Sequence, residues 1–168
     1  MNDAVQEIRV RAEILHRKAQ AHSATTLNRF RAVPCFDPTK IRRRDCLFVL
    51  AREMGFLSWP HAKRVLSGEG TDDFGILLCP KKCGGHLNLW YKTHDEAETV
   101  RRTRGGYLLA YRKQFLVVES PYIEGLGLDP NDPDWKDLDF DWTVRNGKDA
   151  ARARLYSKLI ASVPRESD

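Results

Sequence analysis

The apolar pattern of the chain changes period once, near residue 70, and that change restricts the fold more than any single motif. Before it, apolar residues recur at helical spacing: Val5, Ile8, Ala12 and Leu15 fall on one face with charges between them. After the linker "SGEGTDD" the runs become strand-like, as "FGILLC", "HLNLWY", "GGYLLAY" and "QFLVVES". Helices first and strands later argue for α+β, since a wound parallel sheet would alternate the two. The expectation is an α+β fold. A helical segment over residues 1–70 packs with a small antiparallel sheet and C-terminal helices in residues 71–168.

Punctuation refines this. Pro34 and Pro38 in "AVPCFDPTK" end a second helix begun near Ala24. Asp45 is placed to cap the next helix, with Leu47, Leu50, Ala51 and Met54 on one face. Gly55 followed by Phe56 suits a left-handed helix ending. Ser58 then caps a helix that takes Pro60 in its first turn and runs to Leu66. In the second half, Thr93 is the N-cap candidate for "THDEAETVRRTR". Two strands form a hairpin around Arg112 and Lys113, whose lack of Asn-Gly chemistry predicts a connection longer than a tight turn. Ser120 caps a short helix, "LDPNDPDW" reads as turns, and an amphipathic helix covers Lys148 to Ser162 through Ala151, Leu155, Leu159 and Ile160.

Composition excludes several classes. In 168 residues, 42% are hydrophobic and 30% charged, too apolar for a disordered chain. No apolar run approaches the roughly 20 residues of a membrane helix. Met1 to Lys18 lacks the apolar core of a signal peptide. A cytoplasmic protein with no membrane association is expected. Cys35, Cys46, Cys79 and Cys83 are too irregularly spaced for a disulfide framework. The net charge of +5 is uneven: residues 1–70 hold 13 Lys and Arg against 7 Asp and Glu, and the rest hold 15 against 16.

Three chemistries compete with plain structure. The Cys79-x3-Cys83 spacing lets one turn present two thiolates to zinc, with His86 and His94 completing a tetrahedron. No second compact ligand pair follows, and the alternative has Cys79 ending a buried strand. The basic helices offer Arg42, Arg43, Arg44, Lys63 and Arg64 to DNA or RNA, in a helix-turn-helix whose second helix begins at Trp59. The same charges also suit a solvated face. Asp129, Asp132, Asp134, Asp137, Asp139 and Asp141 crowd one stretch; paired carboxylates serve acid-base work or a hard cation, but aspartates here also cap turns. Asp141, between Phe140 and Trp142, is expected to be partly buried and paired with an arginine. A ligand-binding face remains: Tyr107, Tyr111, Arg112, Glu119 and Tyr122 lie on or beside the hairpin, with Tyr107, Leu109 and Tyr111 on one side of the sheet.

The stretch "GGYLLAYRKQFLVVESPYIEGLGLDPNDPDWKDLDFDW", Gly105 to Trp142, with "LNLWYKTHDEA" before it, resembles a set of bacterial proteins of unknown function. "LFVLAREMGFLSWPHAKRVL" is similar to a short helical segment found ahead of ankyrin repeats in bacterial proteins. Neither resemblance implies an activity; in the first, tryptophan, glycine and aspartate positions stand out more than any cysteine pair. The leading expectation is a non-catalytic binding or regulatory module without a cofactor. It recognises a protein or small molecule around Tyr107, Tyr111, Arg112, Glu119, Tyr122 and Asp141. Nucleic-acid binding is the alternative, and a zinc-stabilised domain or hydrolase the third.

Overall fold

A computed structural model describes residues 3–21, 24–34, 36–144 and 147–165. Cys35 lies outside them. The helices α1 (Asp3–Gln20), α2 (Ala24–Asn28), α3 (Arg43–Glu53) and α4 (Trp59–Leu66) come first. Then follow β1 (Asn88–Tyr91), α5 (His94–Arg104), β2 (Tyr107–Tyr111) and β3 (Gln114–Val118). The chain continues through α6 (Ser120–Leu126), α7 (Pro133–Asp137) and α8 (Asp149–Ser162). The fold is α+β, with one antiparallel sheet of order β1-β3-β2.

Local chemistry explains most boundaries. The stripe Val5, Ile8, Ala12 and Leu15 is buried along α1. At the end of α3, Phe56 N–H reaches the Ala51 carbonyl and Gly55 N–H the Arg52 carbonyl, a Schellman pair with Gly55 at φ +82°. Ser58 caps α4 by accepting from His61 N–H at 3.3 Å, and Thr93 caps α5 by accepting from Glu96 N–H at 3.4 Å.

Several expectations change. "FGILLC" is not a strand. Phe74 and Leu78 are buried, but the backbone of this segment bonds outward to two turns: Ile76 N–H to Met54, and Phe74 N–H to Arg112. Asp45 is not the N-cap of α3 but sits in its first turn, where its carboxylate accepts from Arg42 N–H at 2.8 Å. Glu119, not Ser120, precedes α6. "LDPNDPDW" is not all turns, because Pro133 opens the short helix α7. The hairpin is tight: Tyr111 pairs with Gln114, and Arg112 takes φ +52° in place of a glycine.

The sheet divides the core. One face carries Tyr107, Leu109, Leu116 and Val118 into a large cluster shared with Val5 and Ile8 of α1, Leu66 of α4, and Leu155 and Tyr156 of α8. Residues on both sides of position 70 therefore build the same cluster. The other face carries Leu108 and Val117 against Ala97 of α5. Trp135 and Trp142 are fully buried, each removing a large apolar area from water. Arg152 of α8 is fully buried too, and its guanidinium donates to the carbonyls of Gly68, Trp142 and Val144.

Past α7 the chain makes an unusual turn. Asp139 N–H bonds the Lys136 carbonyl and Phe140 N–H the Trp135 carbonyl, a Schellman ending without glycine. Asp139 and Phe140 both take left-handed conformations, φ +52° and +56°. The turn then docks on β2: Leu108 N–H bonds the Phe140 carbonyl, and Trp142 N–H the Leu108 carbonyl, forming a parallel bridge between Leu108 and Asp141. This bridge brings Asp141 to the face covered by α5.

Candidate functional site

Asp141 meets His94 there. His94 is the first residue of α5, and its Nε2 lies 2.8 Å from Asp141 Oδ2. The other carboxylate oxygen, Oδ1, accepts from both the amide and the hydroxyl of Thr143, each at 2.7 Å. Asp141 is only 4% exposed, with both oxygens engaged. It is buried as expected, but its partner is a histidine and not an arginine. The His94 ring also meets the edge of Phe115, with centroids 5.7 Å apart. Its side chain stays 36% exposed, so the far side of the imidazole faces solvent.

Burial on its own lowers the His94 pKa. The hydrogen bond and charge of Asp141, with Glu98 and Asp95 nearby, outweigh this and raise it above the ordinary 6.5. The protonated imidazole is therefore favoured, donating to Asp141 through Nε2–H.

His94 and Asp141 form part of the wall of a cleft of about 480 Å³, together with Arg112, Lys113, Phe115 and Thr143. The hairpin turn supplies the two cations. Its backbone is pinned from below, because Arg112 N–H donates to Gly75 at 2.7 Å and the Arg112 carbonyl accepts from Phe74 N–H at 3.0 Å. Both side chains are exposed and, among the described residues, have no side-chain hydrogen bond or ion pair. Among the described residues three acids line the same cleft: Asp141, held by His94 and Thr143, Glu98, paired with Arg102 at 2.6 Å, and Asp72.

The remaining hairpin residues do not converge on this cleft. Tyr107 is buried, donates to the Pro130 carbonyl at 2.8 Å and packs edge-on to Trp135 and Phe140. Tyr122 is buried and donates to the Leu78 carbonyl at 3.0 Å; burial raises its phenol pKa. Tyr111 is half-buried against Trp90, and Glu119 is exposed at the start of α6. Sequence reasoning put Arg112, Asp141 and His94 in two separate proposals, and the fold brings them together. It missed Lys113 and Thr143. The Asp-x-Thr spacing of Asp141 and Thr143 is a legible Asx-turn pattern.

The zinc candidates are divided: Cys79, Cys83 and His86 lie in one region and His94 in another. Cys83 is buried, with its thiol pKa raised by burial, and lies with His86 against Gly125 of α6. Cys79 is half-buried beside Tyr122, while His94 is held by Asp141. Among the described residues, no three His, Cys, Asp or Glu side chains group so as to hold a metal ion. The basic helices are partly neutralised. Arg43 pairs with Glu13 at 2.6 Å, Arg44 approaches Asp45 at 3.7 Å, and Arg42 gives its backbone N–H to Asp45. Lys63 and Arg64 are exposed on α4. The aspartates of the 129–137 stretch are structural. Asp129 accepts from Asn131 N–H, and Asp132 and Asp134 both bind Lys158 of α8, at 2.6 and 2.8 Å. No helix among the described residues is long and apolar enough to cross a membrane. No family model matches the chain, and no curated protein or solved structure is similar enough to match it.

Proposed function

We propose that the chain is a non-catalytic binding module that takes a small oxyanion-bearing molecule, a phosphate, sulfate or carboxylate, in the cleft at His94. The observation that carries this reading is the pairing of His94 with the buried Asp141 beside Arg112 and Lys113, two cations with no side-chain partner among the described residues. Asp141 fixes the ring and favours its charged form, which leaves Nδ1–H, 3.6 Å from the exposed Asp95 carboxylate, to turn to a ligand beside the two flexible cations. The N-terminal end of α5 adds a partial positive charge on the same side. The family resemblance of Gly105 to Trp142 supports a bacterial protein, and the cysteine usage supports a reducing cytoplasm. Titration calorimetry with phosphate and sulfate tests the reading: saturable binding that His94→Gln and Arg112→Gln both weaken supports it, and absence of binding refutes it.

A second reading, nucleic-acid binding, is supported by Lys63 and Arg64, which project from α4 without side-chain partners among the described residues. A mobility shift at low salt that disappears on charge reversal of these two residues would favour it over the first.

A further inference from the structure

A second cleft, of about 480 Å³, lies at the opposite end of α5, between its last turn and the start of α6. Its walls carry charges of both signs. On one side stand Arg101 and Arg104, and on the other Glu119, with Ser120 beside it. Gly105 and Gly106 form part of the lining and present no side chains.

Arg101 is the informative residue. Its side chain is only 9% exposed, yet its Nε has no hydrogen-bond partner. Its Nη2 reaches one carboxylate, Asp139, at 3.3 Å, and that carboxylate is 71% exposed. A buried guanidinium with an unmet donor and a weakly held counter-ion is costly, and because Nε is sealed from solvent a ligand meets this side chain at its Nη end, beside Asp139. Arg104 and Glu119 are exposed and, among the described residues, have no side-chain hydrogen bond or ion pair. The cleft therefore combines two uncommitted charges, Arg104 and Glu119, with a buried guanidinium held by one exposed carboxylate.

We infer that this cleft binds a small zwitterion, a free amino acid, with its carboxylate on Arg101 and Arg104 and its ammonium on Glu119. A simple anion would sit well with the arginines but would be repelled by Glu119 and by the negative end of α5. A simple amine would meet the reverse conflict. An amino acid satisfies both walls, and the negative end of α5 favours its ammonium as well. The site is distinct from the His94 cleft. The two lie along one helix face, because His94 and Arg101 are two helical turns apart, and the strained turn at Asp139 and Phe140 delivers Asp141 to one and Asp139 to the other.

The test is a ¹H–¹⁵N chemical-shift titration of the full chain with the standard amino acids and longer ω-amino acids, alongside acetate and methylammonium as the two half-ligands. The inference expects at least one amino acid to shift the Gly105 and Gly106 amides saturably, with acetate and methylammonium far weaker. Arg104→Gln and Glu119→Gln, both at exposed positions, should each weaken that binding by about tenfold or more. His94→Gln should leave it unchanged. The inference is overturned if no amino acid shifts these amides, if acetate shifts them as strongly, or if both substitutions bind as the parent does.

Discussion

Asp141 Oδ2 sits 2.8 Å from His94 Nε2, across 47 residues of chain, and the contact exists because a left-handed turn at Asp139 and Phe140 docks Asp141 alongside Leu108. The carboxylate is the main group that favours the charged imidazole. Asp141→Asn keeps the shape and removes the charge. Burial then acts on the ring against only Glu98 and Asp95, so the His94 pKa should fall below the raised value of the parent. An NMR titration of the His94 ring protons checks this, and an unchanged midpoint would count against the role given to Asp141.

The same pair makes stability depend on pH. The folded-state pKa of His94 is raised above 6.5, so the contribution of its protonated form is complete below about that pH and is lost as pH rises through the folded value. The gap in Tm between the parent and His94→Gln should therefore be widest under mildly acidic conditions and close as pH rises. Glu7 works in the opposite sense. Bonds from Arg165 and Arg11 hold its pKa at about 2 against an ordinary 4.5, so its contribution is present above 4.5 and is lost as pH falls towards about 2. Glu7→Gln should lower Tm near neutrality and cost nothing below about pH 2.

Arg152 holds the middle of the chain to its C-terminal helix. Its replacement by Met would leave the carbonyls of Gly68, Trp142 and Val144 without their donor, a loss on the order of 3 kcal/mol or more in urea unfolding. Gly68→Ala should act on the same joint for a different reason. Gly68 has φ +85°, and an added Cβ would lie 1.9 Å from the Asp149 carbonyl oxygen, so α8 must shift to admit it. Both variants should melt earlier than the parent.

Dialysis against a chelator should leave the melting curve unchanged. His94 is engaged by Asp141, and among the described residues no three His, Cys, Asp or Glu side chains group so as to hold a metal ion. A fall in Tm on chelation, recovered by added zinc, would restore the metal reading of Cys79 and Cys83.

Elements announced by local chemistry were legible in the sequence. The α1 stripe, the Gly55 ending, and the Ser58 and Thr93 caps all follow from residues within one or two turns of each other. "FGILLC" was misread because a short apolar run has no period that separates a strand from a coil lying on the core. Its backbone partners, Met54 and Arg112, lie far off in the chain. The tight hairpin and the turn at Asp139 and Phe140 were hidden for a related reason: both use left-handed residues other than glycine, so their turn chemistry leaves no mark. The cleft was legible only in pieces. Arg112 was marked by the hairpin turn and Asp141 by its place between Phe140 and Trp142, but nothing in their spacing links them to His94. That link is made by the packing of α5 on the sheet.

The most direct test of the account is calorimetric titration of the full chain with sulfate, whose charge is constant across the range, at pH values below and above the His94 transition. The account predicts saturable binding that is stronger at the lower pH, and that His94→Gln and Arg112→Gln each weaken by about tenfold or more. Sulfate binding that is absent at both pH values, or equal in the parent and both variants, would contradict it.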